Sequence, residues 1–319
     1  MTVGGALIFY AMAVGFAGPA GFRRAGWPLR APRLGAAAVL AAAWSVPVAL
    51  VLAGVTIALP ASALSTDLGQ LIGACLVRLR AAYGTPGGAG MVTAGQVLSV
   101  ATTTRIAWAA GRLAHRRRTE GRRHRLLVRL AGHPRPDLPA LVLDYPGAAA
   151  YSVAGRHPTV VVTSGAIDLL TKRQLGAVLA HENAHLLARH HRWQTAAALA
   201  AAALPIVPLL RETPARVGRL LEMDADELAA DHHEPHVLAS ALVAVASPGG
   251  PATGSAPNRA ASTLTLTPAG ADTAARIHRL LRPPDQLPRR RQTITRAAVV
   301  ALTVTPLVLA VAPALLALH

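Results

Sequence analysis

Three long stretches of this chain carry no charged side chain, Met1 to Phe22, Leu34 to Thr66 and Ala297 to Leu318, and a fourth, Met91 to Leu113, is interrupted by Arg105. Each is long enough to cross the roughly 30 Å hydrocarbon layer of a bilayer as a helix, the form that satisfies its own backbone polar groups in lipid. Hydrophobic residues make up 52% of the 319 and charged residues 15%, and the mean hydropathy of +0.39 is too high for an ordinary soluble domain. Aromatics are only 3%, so the apolar surplus is mainly Ala, Leu and Val, which suits lipid-facing helices. The single cysteine, Cys75, excludes an internal disulfide and any Cys-rich metal site and reads as a small apolar filler.

The formal net charge of +17 would suggest nucleic acid in a soluble protein. Here the arginines cluster beside the apolar runs, the positive-inside pattern, and no aromatic-interleaved basic stripe accompanies them. The expected partner of this charge is therefore the lipid bilayer, with no direct nucleic-acid contact.

The order of runs and arginines predicts a topology. Met1 to Phe22 is followed by Arg23 and Arg24, the reverse of a cleavable signal peptide, so it reads as a first span, about 3–22, with the N-terminus outside. Arg23, Arg24, Arg30 and Arg33 fill an inner loop, and a second span, about 35–60, returns outward with Pro47 as kink and Pro60 as exit. After a stretch holding Asp67, Arg78 and Arg80, the run Gly84-Thr-Pro-Gly-Gly-Ala-Gly90 marks an outer loop. The third span, about 91–113, tolerates Arg105 if that side chain snorkels to the inner interface. Arg112, Arg116, Arg117, Arg118, Arg122, Arg123, Arg125, Arg129 and Arg135 then form a cytoplasmic block, and Arg289, Arg290, Arg291 and Arg296 precede a fourth span. The predicted organisation is a membrane region over 1–111, a cytoplasmic domain over 112–296 and a last span over 297–319. That makes a multi-pass cell-membrane protein with both termini outside.

Within the cytoplasmic part, His181-Glu-Asn-Ala-His185 is the informative motif. Histidines four apart project from one helix face and can reach a single Zn2+, with Glu182 beside them as general base. Chance can supply H-E-x-x-H in a chain with 13 His and 15 Asp and Glu, so context must decide. Ala140 to Leu143, Ala149 to Val153 and Thr159 to Thr163 read as short strands separated by turns at Tyr145-Pro-Gly147 and Gly155-Arg-His-Pro158. Thr171-Lys-Arg-Gln174 has capping-box form, and Leu175, Val178, Leu179, Leu186 and Leu187 continue a helical pattern that places HENAH mid-helix.

Two third ligands compete. His191 has the metzincin spacing, but Ala188 stands where that family needs a turning glycine, so the helix should continue and His191 point away. Glu222, in Glu222-Met-Asp-Ala-Asp226, is favoured; its helix is expected to start at Thr213-Pro214, an N-cap followed by proline. A shared zinc also restricts Gln194 to Leu210, an uncharged run of about 17 residues at the lower limit for a span. One crossing there would put Glu222 on the opposite side from His181 and His185, so the run should be buried in the domain or embedded shallowly, kinked by Pro205 and Pro208.

HENAH followed by Glu-x-x-Ala-Asp resembles the gluzincin membrane peptidases: the HtpX-like and CAAX-prenyl-protease-like group and, closer, the BlaR/MecR-type antibiotic-sensor peptidases. The likeness covers roughly residues 145 to 282 by motif and the whole chain by topology. The fold class it implies is an α-helical membrane protein with an inserted α+β gluzincin metallopeptidase domain and about four transmembrane helices. It further implies that Glu222 completes the zinc site, that Asp226 steadies a ligand histidine, and that the strand at Ala149 to Val153 holds a protein substrate as an added strand. A BlaR-type sensor continues into an extracellular penicillin-binding domain, whereas this sequence stops at His319, so a sensorless zinc endopeptidase is the expectation. A BlaI-like transcriptional repressor and membrane-protein quality control are the substrate classes the two resemblances imply, and a non-catalytic zinc-binding membrane module is the rival.

Other residues draw weaker expectations. Asp224, Glu227 and Asp231 read as solvated surface, and Arg189 as a helix C-terminal cap or a contact to phosphate headgroups. His190, His191, His232, His233 and His236 are candidate oxyanion donors that read individually as exposed. Ser247 to Ala271 reads as a mobile loop, and Ala274 to Leu281 as a short basic amphipathic helix.

Overall fold

The computed structural model describes residues 3–58, 88–246, 270–285 and 287–316. Cys75, Pro60, most of the Gly84–Gly90 turn and nearly all of the Ser247–Ala271 loop lie outside them.

Three helices are long and apolar enough to cross a membrane: α1 (Val3–Arg24), α2 (Pro32–Ala58) and the segment Arg289–Val311 of the C-terminal helix. α1 contains one π-helical turn at Ala13–Ala17. α2 is the central helix, packed on several sides, and Ala36, Ala42, Ala43, Ala49 and Ala53 are buried along it. Lipid tails are as apolar as leucine, so such contacts gain little from the hydrophobic effect. Small residues that let helices approach closely, and so gain dispersion energy, take its place. Pro47 is accommodated inside α2, as expected.

The third predicted span is part of α3 (Gly88–Ala131), a 44-residue helix too polar to be among those three. It nevertheless packs along α2. A Cβ on Gly54 would lie 2.5 Å from the Gly95 carbonyl oxygen, and one on Gly95 would lie 2.8 Å from that of Gly54, so only glycine permits this approach. Further along, Arg117 of α3 donates to Thr195, and the far end of α3 reaches the sheet.

The sheet has β1 (Gly132–Pro134), β2 (Leu141–Leu143), β3 (Ala150–Val153) and β4 (Thr159–Thr163) in the order β1-β2-β4-β3. β2 and β4 are parallel and the other pairs antiparallel, which leaves β3 as an edge. β1 was not legible, because Gly-His-Pro has neither alternation nor β-branched residues. Thr163 ends β4 and caps α4 (Ser164–Leu169) by accepting from Ala166 N–H. The Thr171–Gln174 capping box starts α5 (Lys172–Leu187), as its sequence predicts.

Gln194 to Leu210 does not run straight. α6 (His190–Ala203) ends at a turn over Leu204 to Ile206, and α7 (Pro208–Ala230) returns beside it. Ala200, Val207, Leu209 and Leu210 at the tip pack among Leu7, Ala11, Ala43 and Val46 of α1 and α2. A Cβ on Gly15 would come 2.8 Å from Val207, so the π-helical turn of α1 seats the tip. The expected helix start at Thr213-Pro214 is wrong. α7 begins at Pro208, Thr213 is buried with its hydroxyl donating to the Leu209 carbonyl, and Pro214 lies inside the helix. Pro208 already supplies the favoured N1 proline, and burial of the Leu209–Val217 face carries the helix through the second proline, which forfeits only one backbone hydrogen bond. α8 (Pro235–Ala246), α9 (Gly270–Leu281) and α10 (Arg289–Leu316) complete the fold.

Candidate metal centre

α5 and α7 cross so that the HENAH face meets the middle of α7. Leu220 and Leu221 pack with Ala36 and Val39 near the start of α2, so Glu222, the next residue, lies level with that end of the central helix. His181 and Glu182 are fully buried, and the Glu222 side chain is 18% exposed.

Among the described residues, His181, His185 and Glu222 form the group that could hold a metal, with one ligand atom from each within 4.8 Å of the others. His181 Nε2 and His185 Nε2 are 3.2 Å apart, and each lies 3.6 Å from an oxygen of Glu222. Tetrahedral ligands at about 2.0–2.1 Å from zinc are about 3.3 Å from one another. Two imidazoles and one carboxylate at these separations therefore fit Zn2+. His191 is exposed and lies outside the group.

Behind the ligands the two histidines differ. His181 Nδ1 faces Asp226 Oδ1 at 3.0 Å, and Asp226 is clamped by Arg276, which donates from Nε at 2.8 Å and Nη2 at 2.7 Å. Arg276 Nη1 also lies 3.2 Å from Glu222. His185 Nδ1 faces His190 Nδ1 at 2.9 Å, and His190 Nε2 is 2.9 Å from Asp224 Oδ2. Burial pulls the His181 imidazole down, but the neighbouring Asp226 and Glu222 carboxylates outweigh it and push it up to about 9. His185 has no carboxylate in hydrogen-bond contact behind it; burial, then the neighbouring His181 and His190, press it to about 2. Burial raises the Asp226 carboxyl, yet Arg276 and His181 hold it well below the usual carboxylate range.

Two expectations fail here. The helix was expected to continue past Ala188, but α5 stops at Leu187 and Arg189 adopts φ 54°, the only positive φ among described non-glycine residues. That backbone costs about 1–2 kcal/mol, and it persists because the turn swings His190 inward onto His185 and Asp224. Asp224, expected at the surface, is 5% exposed and His190 2%. Glu227 pairs with Arg279, while Asp231, His232 and His236 are exposed as expected. His233 packs beside Gly176. Arg276 was not singled out at all. Its only signal was its place in a basic amphipathic helix.

Residues 117–283, just over half of the chain, match peptidase family M48. The chain belongs to this family. It is 37% identical over 81 residues to the plastoglobule-localized metallopeptidase 48 of Arabidopsis thaliana, covering 25% of this chain and 24% of that protein. It is 33% identical over 87 residues to the protease HtpX homolog of Pyrococcus furiosus (26% and 30%) and 36% over 78 residues to that of Aquifex aeolicus (24% and 26%). The matched segments thus span no more than 30% of these relatives. No solved structure matches the chain. The named relatives are HtpX homologs and a plastoglobule metallopeptidase, so M48 membership stands and the closer BlaR/MecR likeness gains no support from them. The M48 match and the His-His-Glu donor set together make this a family zinc site, carried by a multi-pass membrane protein.

Proposed function

We propose that this M48 protein is an integral-membrane zinc endopeptidase. The observation that carries the reading is the crossing of α5 and α7, which brings His181, His185 and Glu222 to zinc spacing within the matched region. His181, His185 and Glu222 would hold a zinc ion, which would supply a Lewis acid for the scissile carbonyl and lower the pKa of a water to near neutrality. Glu182 would serve as general base toward the attacking water and as proton donor to the leaving amine. Asp226, 3.0 Å from His181 Nδ1, holds that side of the ring, so Nε2, which faces Glu222, is the ligand atom. His185 Nδ1–H donates to His190, whose Nε2–H donates to Asp224, which makes His190 and Asp224 the positioning pair of the second ligand. The free edge of β3 holds substrate as an added strand, since its outer N–H and C=O groups face no strand among the described residues.

The finer membrane reading has four crossings, with the peptidase domain and the inner loops in the cytoplasm. What supports the third is the packing of α3 along α2. From Gly95 to Arg117 its rise is about 33 Å, close to one bilayer core. The α6–α7 hairpin enters and leaves on one side, which keeps Glu222 with the HENAH helix. A site level with the end of α2 suits a membrane-proximal protein substrate. Quality control is favoured over cleavage of a BlaI-like repressor, because the named relatives are HtpX homologs.

The test is turnover of a model unfolded protein by the purified full-length chain, abolished by chelator and restored by zinc. Glu182→Gln should lower turnover by at least a hundredfold, within the roughly 10²–10⁴ general-base range; full activity would remove Glu182 from this role. Glu222→Ala should lose bound zinc while His191→Ala retains it, and the reverse pattern would restore His191 as the third ligand.

A further inference from the structure

A cavity of about 720 Å3 opens where the first inner loop, the end of α7, α9 and the start of α10 meet. Its wall carries carboxylates and arginines in comparable number, but they are not equally committed. Asp226 is held by Arg276, Asp224 by His190 and Glu227 by Arg279. Among the described residues Arg30, Arg33 and Arg296 have no carboxylate partner, and only Asp231 remains uncommitted on the acidic side. The uncommitted charge of this cavity is therefore positive, and a region of this kind favours an anion.

Its position narrows the anion. Arg33 lies in the first turn of α2 and Gln292 and Arg296 in the first turns of α10, so the cavity faces the ends of two membrane-spanning helices. Trp193, half-buried in the wall, is the residue type that collects at headgroup depth. Arginine offers planar, paired donors that match phosphate oxygens. We propose that this cavity binds the phosphate of an anionic phospholipid headgroup, cradled by Arg30, Arg33 and Arg296. The cavity shares α9 with the metal centre: Arg279 reaches Glu227 and the Leu29 carbonyl, and Arg276, one turn earlier on the same face, holds Asp226. An occupied cavity thus braces the helix that positions the His181 partner.

The proposal is tested on the full-length protein in detergent, loaded with mixtures of phosphatidylcholine and phosphatidylglycerol, with retained lipid counted by native mass spectrometry. Wild type should retain phosphatidylglycerol preferentially. The triple variant Arg30→Gln, Arg33→Gln, Arg296→Gln should lose that preference by on the order of a hundredfold, and Arg296→Gln alone, a milder change, by about fivefold. Asp231→Asn should strengthen it by about fivefold. A variant with the same charge removed from the exposed face of α3, Arg116→Gln, Arg122→Gln, Arg123→Gln, should keep the preference. Undiminished retention in both cavity variants overturns the proposal, as does an equal loss in the α3 variant, which would make the effect one of total charge. If inorganic phosphate displaces bound lipid as well as a short-chain phosphatidylglycerol does, the cavity is a phosphate site and its assignment to lipid falls.

Discussion

His181 and His185 sit one turn apart on one helix and at the same 3.6 Å from Glu222, but the surroundings behind them are opposite in character. His181 is backed by an ionised carboxylate that a buried arginine holds in place. His185 is backed by another imidazole, with the carboxylate one step further away. The difference shows that equal ligand geometry does not mean equal proton affinity. The carboxylates beside His181 push its imidazole up to about 9, whereas burial and the neighbouring imidazoles press His185 to about 2. The expected consequence is that zinc binding releases a proton, from His181.

The largest effect should come from breaking the charged side. Asp226→Ala leaves Arg276 and His181 without their buried counter-charge and should cost about 3–5 kcal/mol of stability, read by chemical or thermal denaturation. An unchanged midpoint would show that the clamp contributes little.

The pH dependence follows from the sign of the His181 shift. A folded-state value raised from 6.5 to about 9 means that its stabilisation of the metal-free protein is full below pH 6.5 and is lost as pH rises through 9. Zinc affinity should run the other way, climbing about tenfold per pH unit across the same window with release of one proton, and then levelling. A competition titration with a chromogenic chelator reads this slope, and a flat profile would mean that His181 is already neutral.

The neutral side should be weaker. His190→Ala should reduce zinc affinity by about 10–100-fold, and His190→Asn, whose amide oxygen can stand in for Nδ1, should restore part of it. Asp224→Asn should add little once His190 is gone, because the carboxylate acts through that imidazole. Additive losses would separate Asp224 from the pair.

Much of the site was legible because its chemistry is local. The i,i+4 histidines and their capping box lie within one helix, and a helix projects those residues on one face whatever surrounds it. Glu222 was legible as the acidic centre of a second helix, and Asp226 only through the family resemblance of Glu-x-x-Ala-Asp. His190 and Asp224 were not, since the composition around His190 reads as an exposed basic turn and only the reversal at Arg189 buries it. Arg276 arrives from a separate helix, and no local pattern announces that one arginine on it will be buried.

The membrane plan shows the same division. Hydropathy found α1, α2 and the C-terminal helix, where burying an uncharged run needs no knowledge of neighbours. The third span, read over 91–113 in spite of Arg105, falls within α3, whose close Gly54–Gly95 approach to α2 hydropathy does not announce; the apolar Gln194–Leu210 run, kept from spanning only by the shared-ligand argument, folds back on itself against α1 and α2.

By itself the sequence determined that this is a membrane chain with a zinc-type helix and a second acidic motif, because composition, periodicity and ligand spacing are properties of neighbouring residues. Only the tertiary structure decided which way the hairpin turns, which carboxylates are buried and which imidazole carries the proton. Those depend on partners far apart in the chain, and burial in low dielectric makes their pairing decisive.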